Sequence, residues 1–302
     1  GGAIVGDDFV TLQLLEDALT KYSATHRRPS TAHVDLLERR VALKARMFGP
    51  ENCATRRALR DAVVACNSLA MLALGRGDAS RCNDLLLRAL ETASDGNRGH
   101  RNIDASCESE GGLSRGIPAL QVLTFNNMAC LHRRRLGEPK RSLRLLSWAA
   151  GVGRQSNSSE HLEVTHLNAC AVLSELGRHE EALEHARSAV FFALQREGIQ
   201  TQSVGEASGE GILTRLGECK STPARVATLA VSCYNLAVEL EHTHRYEACL
   251  RWYQKALMLV CHPDVRNEEL MKTFQRAYTG ARKVAATKRT GTSTRQRWPL
   301  LN

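Results

Sequence analysis

Apolar residues recur along the chain at helical spacing, in paired blocks separated by short turns. The first block, residues 9–22 (FVTLQLLEDALTKY), predicts a helix with Asp7 or Asp8 as its cap. A second spans 31–48, with Val34, Leu37, Val41 and Ala45 along one stripe. The run Gly49-Pro50-Glu51-Asn52 stops it, because glycine caps a helix and proline cannot continue one. Residues 55–74 and 79–92 form the next pair around Gly75-Arg76-Gly77-Asp78, followed by 120–135 and 139–150. After a polar link at 153–159 comes NACAVLSELGRHEEALEHARSA at 168–189, whose second helix runs on to about residue 196. Residues 223–260 make one more pair, and 267–286 a single helix with Leu270, Phe274, Tyr278 and Ala281 on one face.

Small residues fix the register of these pairs. Counting from Asn168, Cys170, Ala182 and Ala189 stand at offsets of two, fourteen and twenty-one. Counting from Ser68 gives Ala70, Cys82 and Ala89 at the same offsets, and counting from Asn235 gives Ala237, Cys249 and Ala256. Asn127, Ala129, Ser142 and Ala149 repeat the series with one residue added in the turn. Small side chains at fixed places let two helices approach closely. The expected fold is therefore all-α: a right-handed superhelical stack of antiparallel hairpins, closed by a C-terminal capping helix that covers the last apolar surface.

Composition alters this picture in two stretches. Residues 94–116 and 197–221 are rich in Gly, Ser and charged groups and poor in apolar ones, so they read as flexible insertions that bury too little surface to offset ordering entropy. The predicted organisation is a diverged hairpin at 1–48, a hairpin at 49–93, an insertion at 94–116 and two hairpins at 117–196. A second insertion at 197–221, a hairpin at 222–261, the capping helix at 262–286 and a basic, disordered tail at 287–302 complete it. No secretory signal is evident at the start, though an opening Gly-Gly is consistent with trimming. The most apolar window, residues 226–238, is too short and too polar to span a bilayer.

The formal charge is +9, with 41 Lys and Arg against 32 Asp and Glu. No acid follows Glu269, whereas the tail holds Lys288, Arg289, Arg295 and Arg297. A second concentration, Arg133, Arg134, Arg135, Lys140, Arg141 and Arg144, surrounds one hairpin turn and suits either a solvated end or an acidic partner surface. None of the ten cysteines forms a C-x-x-C pair, and several sit at the small buried positions. Reduced thiols and an intracellular, reducing compartment, cytoplasmic or cytoskeletal, are expected from that usage.

The hairpins resemble tetratricopeptide (TPR) repeats, most clearly where Asn-Ala-Cys precedes Gly-Arg-His-Glu-Glu-Ala-Leu and Asn-Leu-Ala precedes Arg-Tyr-Glu-Ala-Cys-Leu. Phe48-Gly49-Pro50-Glu51-Asn52 and His262-Pro263-Asp264-Val265 are locally similar to the longer repeats of kinesin light chains. Departures include Ala186 where the family carries a bulky aromatic and His179 for its tyrosine. The resemblance implies a concave groove lined by the first helices and holding a peptide or another protein. Carried over by position, its residues are Asn67, Met71 and Leu74; Asn126, Cys130, Arg133 and Arg134; Leu167, Ala171, Ser174 and Glu175; and Tyr234, Val238, Glu241 and His242. Family members that clamp a chaperone's C-terminal carboxylate pair asparagines with lysines. Asn127, Asn168 and Asn235 are present without those lysines, so that partner is not expected.

Catalytic and metal chemistry finds little footing. No phosphate loop or dinucleotide glycine motif occurs, and His179-Glu180-Glu181-Ala182-Leu183 lacks the second histidine of a zinc-protease helix. Gly112-Leu113-Ser114-Arg115-Gly116 matches a nucleophile elbow only in letters, having no strand before it. Trp252 and Tyr253 read as core, and no metal site or cofactor is expected. The implied function is a non-enzymatic scaffold in a larger, cytoskeletal or ciliary assembly. The alternative is an RNA-associated or ribosome-assembly protein using its basic tail.

Overall fold

A computed structural model of the chain describes residues 2–26, 29–97, 113–156, 159–198, 222–261, 265 and 267–289, with backbone alone at 2–6, 95–97, 113–115, 288 and 289. It divides into two compact units, Gly1–Ser158 and Ser159–Asn302. The first holds α1 (Gly2–Thr25), α2 (Thr31–Phe48), α3 (Cys53–Gly75), α4 (Ala79–Asn97), α5 (Leu113–Arg134) and α6 (Pro139–Gln155). The second holds α7 (Leu162–Glu175), α8 (His179–Arg196), α9 (Pro223–His242), α10 (Tyr246–Val260) and α11 (Glu268–Arg289). Among the described residues there is no strand, and in each unit consecutive helices pair as antiparallel hairpins that stack on their neighbours, as in an all-α solenoid.

Helix starts follow the local chemistry. Ser30 accepts from the His33 N–H at 3.2 Å, Asn52 from the Ala54 N–H at 2.8 Å, and Asp78 from the Arg81 N–H at 3.0 Å. Each satisfies a donor that the first turn leaves open. Pro139 and Pro223 open α6 and α9, where a missing N–H costs nothing. The hairpin turns repeat as well. The N–H groups of Asp78, Arg178 and Arg245 donate to the carbonyls of Ala73, Leu173 and Leu240 at 3.0, 2.9 and 2.8 Å. In the α5–α6 turn the equivalent bond, Glu138 to His132 at 2.9 Å, spans one residue more.

All twelve small positions are buried. Ala70, Cys82, Ala89, Ala149, Cys170, Ala182, Ala189, Ala237, Cys249 and Ala256 are 0% exposed, and Ala129 and Ser142 are 1% exposed. In the second unit Tyr234 stacks on Phe274 at 4.5 Å and lies 5.6 Å from Tyr253, tying α9 to α10 and α11. Trp252 and Tyr253 are core, with Lys255 lying 3.7 Å over the Trp252 ring.

Several expected boundaries move. The first helix begins at Gly2, so Asp7 and Asp8 lie inside it and cap nothing; Asp8 instead pairs with Arg46 of α2. The insertion read at 94–116 is entered by helix from both sides, because Ala93 and Ile117 are buried and anchor the ends of α4 and α5. α6 continues to Gln155 rather than ending at Ala150, with Gly153 buried. α11 runs to Arg289, past the expected start of the tail. Residues 98–112 and 199–221, and the tail residues Arg295 and Arg297, lie outside the described residues.

Candidate interaction surface

The expected groove is mostly interior. Asn67 is 3% exposed, and its amide donates to the Thr124 hydroxyl at 3.0 Å while Asn127 donates to its carbonyl oxygen at 2.7 Å. These bonds join α3 to α5, so this line of residues is the seam between successive first helices. Leu74, Asn126, Leu167, Ala171, Ser174, Tyr234, Val238 and Glu241 are buried as well. Met71, Cys130, Arg133 and His242 are half-buried, and only Arg134 and Glu175 of the groove set are exposed. The physical reason is that a first helix packs against its hairpin mate and against the next first helix, which covers most of its circumference. Spacing alone does not separate that seam from an open face.

The basic turn fares differently. Arg134, Arg135, Lys140, Arg141 and Arg144 are exposed, and Arg133 is half-buried. Arg135 contributes to the frame, because its guanidinium donates to the Leu74 carbonyl at 3.2 Å and closes the end of α3. Glu138 accepts from or pairs with buried His132 at 2.9 Å and lies 3.6 Å from Arg141. Burial holds the His132 ring below the ordinary histidine range. Arg134, Lys140 and Arg144 remain directed at solvent, and Trp148, one helical turn beyond Arg144, is 58% exposed. Its ring meets Phe125 edge-on at 6.0 Å. Apolar spacing over residues 139–150 does not by itself set Trp148 apart from Leu146 and the other hairpin residues. The buried set of α6, Ser142, Leu145, Leu146, Ala149, Ala150 and Gly153, marks the opposite face, which is the signal that places it outside.

Other clusters are consumed by packing. Arg88 grips Glu38 through two hydrogen bonds of 3.0 and 2.6 Å and reaches Asp35 at 2.6 Å, joining α4 to α2 beside a cavity of about 410 Å³. His179 meets the fully buried Glu239 carboxylate at 2.9 Å and stacks on His242 at 4.1 Å. His166 bonds to His185 ring nitrogen to ring nitrogen at 2.9 Å, and Glu163 pairs with Arg196. Among the described residues no group of three or more His, Cys, Asp and Glu is disposed to hold a metal.

Among the described residues seven cysteines are free thiols, and burial pushes those of Cys66 and Cys233 up to about 12 and that of Cys82 up to about 11. Two points depart from the cysteine expectation: Cys261 is exposed and Cys53 is disulfide-bonded. Of the elbow-like letters, Gly112 lies outside the described residues and Leu113 already begins a helix. Among the described residues one helix, Cys53–Gly75, has the length and apolarity of a membrane span, with 61% of its apolar window buried.

No protein-family model matches the sequence, and no curated protein matches it. Among solved structures the chain is similar to the crystal structure of BtubC (BKLC) from P. vanneervenii, at 16% identity and a TM-score of 0.49. The match covers 88% of this chain and 97% of that one.

Proposed function

We propose that the chain is a non-enzymatic protein-interaction scaffold, a helical-repeat subunit that docks into a larger assembly. The observation that supports this most is the contrast between interior and surface. The polar groups of the first helices are spent on helix–helix bonds such as Asn67 to Thr124 and Asn127, which build a rigid frame. That frame presents an exposed, predominantly basic surface at the α5–α6 turn, with Glu138 as its one acid. Rigid frames with a fixed charged face suit docking, where electrostatic complementarity sets encounter rate and partner choice. A cytoskeletal or ciliary assembly is the setting that the repeat resemblance suggests.

Size-exclusion of a native extract tests the reading. The chain is expected to migrate in a complex larger than its own 33.3 kDa, with a stoichiometric protein partner recovered by cross-linking. Migration as a free chain throughout, in cells where it is abundant, would remove the reading.

A further inference from the structure

The positive charge of this chain is concentrated in two places, the α5–α6 hairpin and the stretch after Glu269. From Leu113 to Gln155 the sequence holds eight Lys and Arg and a single acid, Glu138, which is already engaged by His132 and Arg141. Its balance is +7, beside +8 in the segment after Glu269, while the rest of the chain is net acidic. The other hairpins are near neutral: six basic against five acidic residues in α3–α4, three against five in α7–α8, and four against three in α9–α10. α6 carries no acid at all. Beyond the Arg141–Glu138 contact at its first turn, α6 has no equivalent of the Arg178–Glu181 and Arg187–Glu184 pairs that neutralise cations at α8.

On α6 the cations share a face with an aromatic. Lys140, Arg144 and Trp148 follow at i, i+4 and i+8, which places them in one row about 12 Å long. All three are exposed, and the Trp148 ring meets Phe125 edge-on at 6.0 Å. Leu136, in the turn before α6, is a second large apolar residue open to solvent, at 44% exposure. Trp148 ends the row, and Leu136 lies in the turn that precedes it.

We infer that the α6 face is a docking site for an acidic segment of a partner protein, with carboxylates over Lys140 and Arg144 and a large apolar side chain on Trp148. This rests on the scaffold reading and names the chemistry of its occupant. An extended peptide covers 12 Å in about four residues and 6 Å in about two, so the acid over Lys140 stands about four positions from the apolar anchor and the acid over Arg144 about two. Charge pairs at such exposure steer and orient, while burial of the tryptophan against an apolar partner supplies the hold. A nucleic-acid strand could engage the cations and stack a base on Trp148, but it has no counterpart for exposed Leu136.

The test uses the full chain and three fluorescein-labelled probes. These are a short peptide with acidic residues about two and about four positions from a Phe-Leu pair, the same peptide with Ala-Ala in place of the pair, and an oligouridylate of matched charge. The Phe-Leu peptide is expected to bind tightest. Lys140→Glu or Arg144→Glu should weaken it by about tenfold or more. Trp148→Ala should abolish the preference for Phe-Leu over Ala-Ala while leaving the salt dependence unchanged. All three positions are exposed, so an unchanged helical melt in each variant confirms that the fold is kept. Oligouridylate binding as tight as the peptide's, or a Phe-Leu preference that survives Trp148→Ala, overturns the inference. If neither peptide binds while a stoichiometric partner is still recovered from extract, the acidic segment falls and the scaffold stands.

Discussion

At the scale of single residues, His244 stands at φ +65° in the α9–α10 turn, where the α3–α4 and α7–α8 turns place Gly77 at +88° and Gly177 at +74°. All three donate their N–H to a carbonyl three residues back, to Leu74, Ser174 and Glu241 at 3.0 to 3.1 Å. Glycine adopts this left-handed backbone without penalty, whereas a Cβ there costs about 1–2 kcal/mol. Gly177→Ala should therefore destabilise the chain by about 1 kcal/mol in urea melts. The reverse change, His244→Gly, should gain less, because glycine also loosens the unfolded chain and the His244 ring gives up its 3.0 Å contact with the Tyr246 hydroxyl. Opposite signs for the two changes are required if the turns are equivalent. The thiols give a second check. Among the free cysteines Cys261 is exposed, whereas burial holds Cys66, Cys82 and Cys233 protonated well above neutral pH. Alkylation of the folded chain, mapped by mass spectrometry, should label Cys261 before those three. Early labelling of Cys233 would contradict its burial.

At the scale of helices, the contact is set by small side chains, and this is where substitution should be felt most. Ala182 and Ala256 are both 0% exposed, on α8 and α10. Ala182→Trp or Ala256→Trp should overpack its hairpin and cost on the order of 1–3 kcal/mol or more, read as a fall in melting temperature. An unchanged melt in both would put the register in error. These positions were legible in the sequence because close approach leaves a residue-type signature at fixed spacing. The seam was not, since Asn67 and Tyr234 face neighbouring helices at the spacing that an open groove would also produce. Nor was the exposure of Trp148, because an aromatic on an amphipathic helix reads as core until the buried stripe is placed. Helix ends inside glycine-rich stretches, such as Leu113, are hidden for a related reason: a single buried anchor like Ile117 outweighs local propensity.

At the scale of the whole chain, two sets of buried ionisable groups act in opposite directions over the same pH range. Burial lowers His33, His132, His161 and His185 from the ordinary histidine value. A base whose folded pKa is depressed leaves the unfolded chain binding more protons as pH falls below its unfolded value of 6.5, so stability is lost on acidification. Glu241 is the counterweight. Buried beside Tyr234, Tyr253 and Cys249, its carboxyl is pushed up from 4.5 to about 7, although the Tyr253 hydroxyl donates to it at 3.1 Å. An acid with a raised folded pKa keeps its contribution below pH 4.5 and loses it as pH rises through about 7. Glu241→Gln removes the ionisation while keeping an oxygen to accept from Tyr253. The variant should melt higher than the natural chain near pH 8 and match it near pH 4.5, where the carboxyl is neutral in the folded protein. Its melting temperature should also climb more steeply across that interval, because the histidines then act unopposed. Parallel profiles for the two proteins would mean that Glu241 reaches water, and the burial of this end of α9 would have to be redrawn.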